Sequence, residues 1–144
     1  MSAKYLVGFD GSEASKRALS FAVERAAAAG RSVVIAHVLE WSPYSFLTPT
    51  ELEERHARRK EEIERAETAL LAPVIAEMSG KGVEVETALK YGHIANTLNE
   101  LANADGVEQI FIGRNGHSGV GARIFGSVAG TLVQIAPVPC TIVP

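Results

Sequence analysis

Short apolar runs alternate with longer stretches of helical period along the whole chain. Tyr5-Leu6-Val7, Val33-Val34-Ile35-Ala36 and Ile110-Phe111-Ile112 are continuous apolar runs, as expected of interior parallel strands covered on both faces. Val83-Glu84-Val85-Glu86 alternates, which predicts a strand with one wetter face at a sheet edge. Cys140-Thr141-Ile142-Val143 is short and bracketed by Pro139 and Pro144, which also suits an edge. The first predicted helix spans residues 13–29, with Leu19, Ala22, Val23 and Ala26 on one face and Gly30 just past its end. Thr48-Pro49-Thr50-Glu51 is a capping-box start for a second helix reaching Met78. Pro73 predicts a kink or break in it near residues 70–72. A third helix turns Ile94, Leu98, Leu101 and Ala102 inward, and a fourth covers residues 127–135.

This alternation predicts one α/β domain over residues 1–144, a doubly wound, Rossmann-like five-stranded parallel sheet with four helices. Strands one, two and four read as interior and strands three and five as edges, which gives the order 3-2-1-4-5. The sheet then reverses direction between strands one and four, and ligands bind such sheets at the carboxyl ends of the strands flanking that point. Residues 8–12 and 113–127 are therefore where a site is expected.

Composition narrows the partners. The 144 residues suffice for a core without disulfides or structural metal. The formal net charge is only −3, and Arg58, Arg59 and Lys60 sit beside Glu61, Glu62 and Glu64 with no aromatic residue between them, so no nucleic-acid partner is expected. No apolar run approaches the roughly 20 residues that cross a bilayer, so membrane insertion is not expected. Lys4 is followed at once by a strand-like run in place of a cleavable signal, and the expected location is cytoplasmic. Cys140 is the single cysteine and reads as a small buried side chain. No metal-ligand spacing links His37, His56, His93 and His117.

Directly after the fourth strand come Gly113-Arg114-Asn115-Gly116, nine residues, and then Gly126-Ser127 at a helix start. Glycines let backbone approach a ligand closely, and successive N–H groups form an anion-binding concavity. The helix start adds N–H groups, the positive end of its dipole and the Ser127 hydroxyl. Arg114, Arg123 and His117 are further candidates for phosphate contact. Two commoner phosphate motifs are absent: there is no Gly-x4-Gly-Lys-Ser/Thr, and Gly119-Val120-Gly121 would need a third glycine where Ile124 stands. On glycine content alone, a mobile surface loop stays equally open, and Gly119 and Gly121 raise the conformational entropy lost on ordering it.

The spacing Gly113-x2-Gly116-x9-Gly126-Ser127 resembles the G-x2-G-x9-G-(S/T) ATP-binding pattern of the universal stress protein family. Val7-Gly8-Phe9-Asp10-Gly11-Ser12 is similar to that family's first-strand V-D-x-S turn, His37-Val38 to its second-strand H-V, and Pro137-Val138-Pro139-Cys140-Thr141-Ile142-Val143 to its closing P-V-x-V strand. The resemblance covers essentially the whole chain. It implies that Val38 holds adenine through its backbone N–H and C=O, and that Gly8, Phe9 and Asp10 close the other side of the nucleotide. It also implies that Ile112 and Gly113 line the ribose, while Gly116, Gly126, Ser127 and Val128 cradle the phosphates. Asp10 ends the first strand at the switch point, where one carboxylate plus phosphate oxygens can hold Mg²⁺; it or Ser12 equally suits the N-cap of the next helix.

The resemblance implies an ATP-binding regulatory protein of the stress response, with ADP or AMP as competitors, dimerising through its C-terminal strand. Two other readings stay open. One is a slow ATP-hydrolysing or phosphotransfer enzyme with Asp10 or His117 as base. The other is a structural dimer that binds no nucleotide. Trp41, Tyr44 and Phe46 around Pro43 form a lid, a dimer contact or a covered loop; the last is expected.

Overall fold

The computed structural model describes residues 3–40, 48–104, 106–115 and 127–144. The strands are β1 (Lys4–Gly8), β2 (Ser32–Glu40), β3 (Val85–Gly92), β4 (Val107–Gly113) and β5 (Cys140–Val143). They form one parallel sheet in the order β3-β2-β1-β4-β5, as the apolar runs predict. The third strand is the exception in position, because it begins at Val85 and runs to Gly92 where the alternation pointed to residues 83–86. Its length comes from its neighbour: β2 continues to Glu40, and pairing from Val33↔Val85 to Glu40↔Gly92 draws in Lys90 and Gly92, whose types carry little strand signal, along with Tyr91 between them.

The helices are α1 (Glu13–Ala29), α2 (Pro49–Arg65), α3 (Ala72–Met78), α4 (Ile94–Ala102) and α5 (Ser127–Ile135). A π-helical segment, Ala66–Leu71, joins α2 to α3, so these read as one interrupted helix and the predicted four stands. Two features account for the π turns. Pro73 has no N–H to give, and the Ala72 N–H reaches back five residues to the Glu67 carbonyl. Thr68 Oγ1 donates to the Glu64 carbonyl at 2.8 Å, a bond that bends helices.

Local signals set the other helix ends. The Ser12 side chain accepts from the Ser15 N–H and caps α1, and Gly30 ends that helix in the left-handed region at φ 70°. Thr48 accepts from the Glu51 N–H, with Pro49 in the first turn of α2. No residue of α2 is fully buried. Its Glu62 carboxylate accepts from the Tyr91 hydroxyl, and the Arg59 guanidinium lies 5.0 Å from the Tyr91 ring centre. Desolvation first, and the Glu62 hydrogen bond second, push the Tyr91 phenol up to about 12.

Side chains alternate across the sheet and divide the core. Tyr5, Val7, Phe9, Val33, Ile35 and Phe111 face α1, the π segment and α3, while Leu6, Ala36, Val38, Ile110 and Ile112 face α4 and α5. Cys140 is half-buried, and burial pushes its thiol up to about 11, so it stays protonated at neutral pH.

Candidate functional site

Unequal strand lengths open a gap at the switch point. β1 ends at Gly8, opposite Ala36, whereas β2 runs on to Glu40 and β4 to Gly113. A cleft of about 450 Å3 lies there, within the range of small-ligand sites. Among the described residues its lining comes from the ends of β1, β2 and β4 and the residues just beyond them, the first turn of α1 and the N-terminal halves of α4 and α5.

Register makes the β2 wall a backbone recognition edge. The Ala36 carbonyl accepts from the Phe9 N–H, so Ala36 aims its peptide groups at β1, and Val33, whose N–H donates to the Glu84 carbonyl, aims its own at β3. N–H and C=O of alternate residues in a parallel strand point the same way. Val38 therefore presents both toward the space beyond the end of β1, with no strand opposite them among the described residues.

The structure brings together Gly8, Phe9, Asp10, Val38, Ile112, Gly113, Arg114, Ser127 and Val128, all of them candidates from the sequence. Gly116, His117 and Gly126 lie outside the described residues, as do Gly119, Gly121 and Arg123 of the same segment and Trp41, Pro43, Tyr44 and Phe46. Phe9 faces the cleft with its backbone, because its side chain is buried in the opposite half of the core. The choice between Asp10 and Ser12 as cap resolves in favour of Ser12, whose own N–H donates to Asp10 Oδ1 at 2.9 Å. That bond orients the Asp10 carboxylate at the cleft wall.

Two of the glycines have a packing role that the glycine pattern does not reveal. A Cβ on Gly113 would stand 2.8 Å from the Ala14 carbonyl carbon and Cβ, so β4 meets the first turn of α1 there only without a side chain. A Cβ on Gly8 would meet Ile112 Cγ2 at 3.0 Å and Leu98 Cδ1 at 3.2 Å, where α4 closes on the sheet.

Asn115, within the expected segment 113–127, also lines the cleft, as do Ser15, His37, Glu40, His93 and Thr131, which were not anticipated. Some signal existed for two of them: Thr131 follows Ser127 by four residues on one helix face, and Glu40 follows Val38 by two in a strand. His93 had none, since it works as an N-cap, its Nδ1 accepting from the Asn96 N–H at 3.3 Å. His37 Nδ1 lies 2.7 Å from the Phe9 carbonyl and so donates to it. Neutral His93 thus carries its proton on Nε2 and neutral His37 on Nδ1. Among the described lining residues the formal charges are Asp10, Glu40 and Arg114.

The comparisons cover the full length. The family profile described as the universal stress protein family matches residues 1–144. A curated relative from Thermus aquaticus, a universal stress protein, is 31% identical over 139 residues, 96% of each chain. Another, the universal stress protein YxiE of Bacillus subtilis, is 30% identical over 144 residues, 97% of each chain. Among solved structures, universal stress protein UspA from Lactobacillus plantarum superposes with a TM-score of 0.85 at 21% identity, covering 99% of this chain and 97% of its own. A universal stress protein solved in complex with cAMP gives 0.70 at 23% identity (99% and 97% coverage), and one from Archaeoglobus fulgidus in complex with dAMP gives 0.63 at 21% (100% and 98%).

Proposed function

The chain belongs to the universal stress protein family, and from there we propose that it is an adenine-nucleotide-binding regulatory protein of the stress response whose ligand is ATP. One observation carries the reading: the cleft beyond β1 sets the Val38 peptide edge on one side and the N-terminus of α5, with Ser127, on another. A base that pairs with backbone N–H and C=O fits the first, and phosphate fits the second. The family structures in complex with cAMP and dAMP support an adenine nucleotide as the class of ligand.

Charge decides how a triphosphate enters. Two carboxylates and one guanidinium among the described lining residues do not neutralise it. Among the described residues no group of three or more His, Cys, Asp or Glu gathers to hold a metal. Mg²⁺ would therefore arrive with the phosphates, and the oriented Asp10 carboxylate fits as a protein ligand for it. No helix among the described residues is long and apolar enough to cross a membrane.

ATP with Mg²⁺ at 100 times its dissociation constant is expected to stabilise the fold by about 2.7 kcal/mol, a rise in Tm of about 8–10 °C by thermal scanning. Ser127→Ala removes a hydroxyl donor to phosphate and is expected to weaken binding about tenfold. Protein refolded from denaturant that shows no shift with millimolar ATP and Mg²⁺ would overturn the reading. We further propose a homodimer through β5, whose outer edge has no strand beside it among the described residues; sedimentation showing only monomer would refute it.

A further inference from the structure

We propose that Glu40 selects the base: its carboxylate accepts from the exocyclic amine of adenine, an inference that rests on the adenine-nucleotide reading above. Glu40 closes β2 and stands two residues beyond Val38, on the same face of the strand, and both line the cleft. Two residues of strand advance the chain roughly 6.6 Å, so a carboxylate there reaches the outer side of an amine held at the Val38 carbonyl. Adenine's amine carries two hydrogens, and a single backbone carbonyl satisfies one of them. The second is left for another acceptor.

The charges of the cleft are sorted in a way that assigns this end to the base. Arg114, Ser127 and the N-terminus of α5 attract phosphate, whereas Glu40 repels it. The neighbouring groups are committed elsewhere. His93 uses Nδ1 to cap α4, which leaves its neutral ring an Nε2–H donor. Asp10 belongs to the end of β1 and takes the Ser12 N–H. Lys90, opposite Val38 on β3, lies outside the cleft lining. Hypoxanthine and guanine carry an oxygen acceptor where adenine carries the amine, and a carboxylate facing that oxygen excludes them.

The test measures affinities of AMP, purine riboside 5′-monophosphate (hydrogen in place of the amine) and IMP for the wild-type chain, Glu40→Ala and Glu40→Gln. Glu40 is exposed at a strand end, so the variants should fold, and thermal scanning of each free protein checks this. Wild type is expected to prefer AMP to the amine-free analogue about tenfold or more, the range of a hydrogen bond to a charged group. Glu40→Ala is expected to cut that preference to about threefold, the share left to Val38. Glu40→Gln keeps an acceptor but adds a donor, and is expected to admit IMP about tenfold better than wild type does. Removing a negative charge strengthens binding of every phosphate ligand alike and cancels in the ratio. An AMP preference in Glu40→Ala equal to that of wild type overturns the inference and leaves nucleotide binding standing. A wild-type chain that binds neither these three nor ATP with Mg²⁺ overturns both.

Discussion

Phe111→Ala is expected to destabilise the protein by about 3–5 kcal/mol, the cost of removing an aromatic side chain from a packed core. Phe111 is 1% exposed, and its ring lies 5.0 Å from the Tyr5 ring and 5.9 Å from the Phe21 ring, between the sheet and α1. Collapse into the cavity left behind is limited, because β1 and β5 are held in register with β4 on either side. Urea denaturation should show a lower midpoint with an unchanged slope. The side chain points away from the cleft, into the half of the core opposite Ile110 and Ile112. Below its own melting temperature the variant is therefore expected to bind ATP within about threefold of wild type. A tenfold loss of affinity with a wild-type midpoint would contradict the assignment of Phe111 to the core.

Gly113→Val is expected to lower stability by about 3 kcal/mol, at the upper end of what overpacking costs, and to weaken nucleotide binding as well. The added Cβ would approach the Ala14 carbonyl carbon at 2.8 Å and its oxygen at 3.0 Å. These are backbone atoms, so the first turn of α1 must move, and with it Ser12 and the Asp10 carboxylate bonded to it. Gly113→Ala should lose roughly half as much. Gly8→Ala should lose less again, since the atoms it meets are the ends of the Ile112 and Leu98 side chains. Gly130→Ala is the opposite case: it lies in α5 with nothing within 4 Å of the added Cβ, and a gain of about 0.5–1 kcal/mol is expected. Chemical denaturation of the four variants checks the series. Gly113→Val as stable as wild type would remove the packing explanation for that glycine.

The site was legible in the sequence to the extent that strand ends are. Gly8, Asp10, Val38, Ile112 and Gly113 follow or end apolar runs, so their convergence on one edge of the sheet follows from parallel topology alone. His93 and Ser15 could not be found that way. Each reaches the cleft through a helix packing against the sheet, α4 in one case and α1 in the other, and no spacing in the chain encodes that approach. The glycines show the same limit from the other side. Their spacing pointed to phosphate, while the fold adds a second demand on Gly8 and Gly113, the close approach of α4 and α1.

What the chain determined by itself is local or periodic: the bounds of α1 and α5, the Thr48 cap, the interruption before Pro73, and which strands are buried on both faces. These depend on residues within a turn or two of each other, so hydrophobic period and capping chemistry are enough to read them. Tertiary structure decided the length of β3 and the free peptide edge of Val38. Those are outcomes of register between segments far apart in the chain. A strand takes its end from the partner it pairs with, and a backbone group is left to a ligand only where that partner stops.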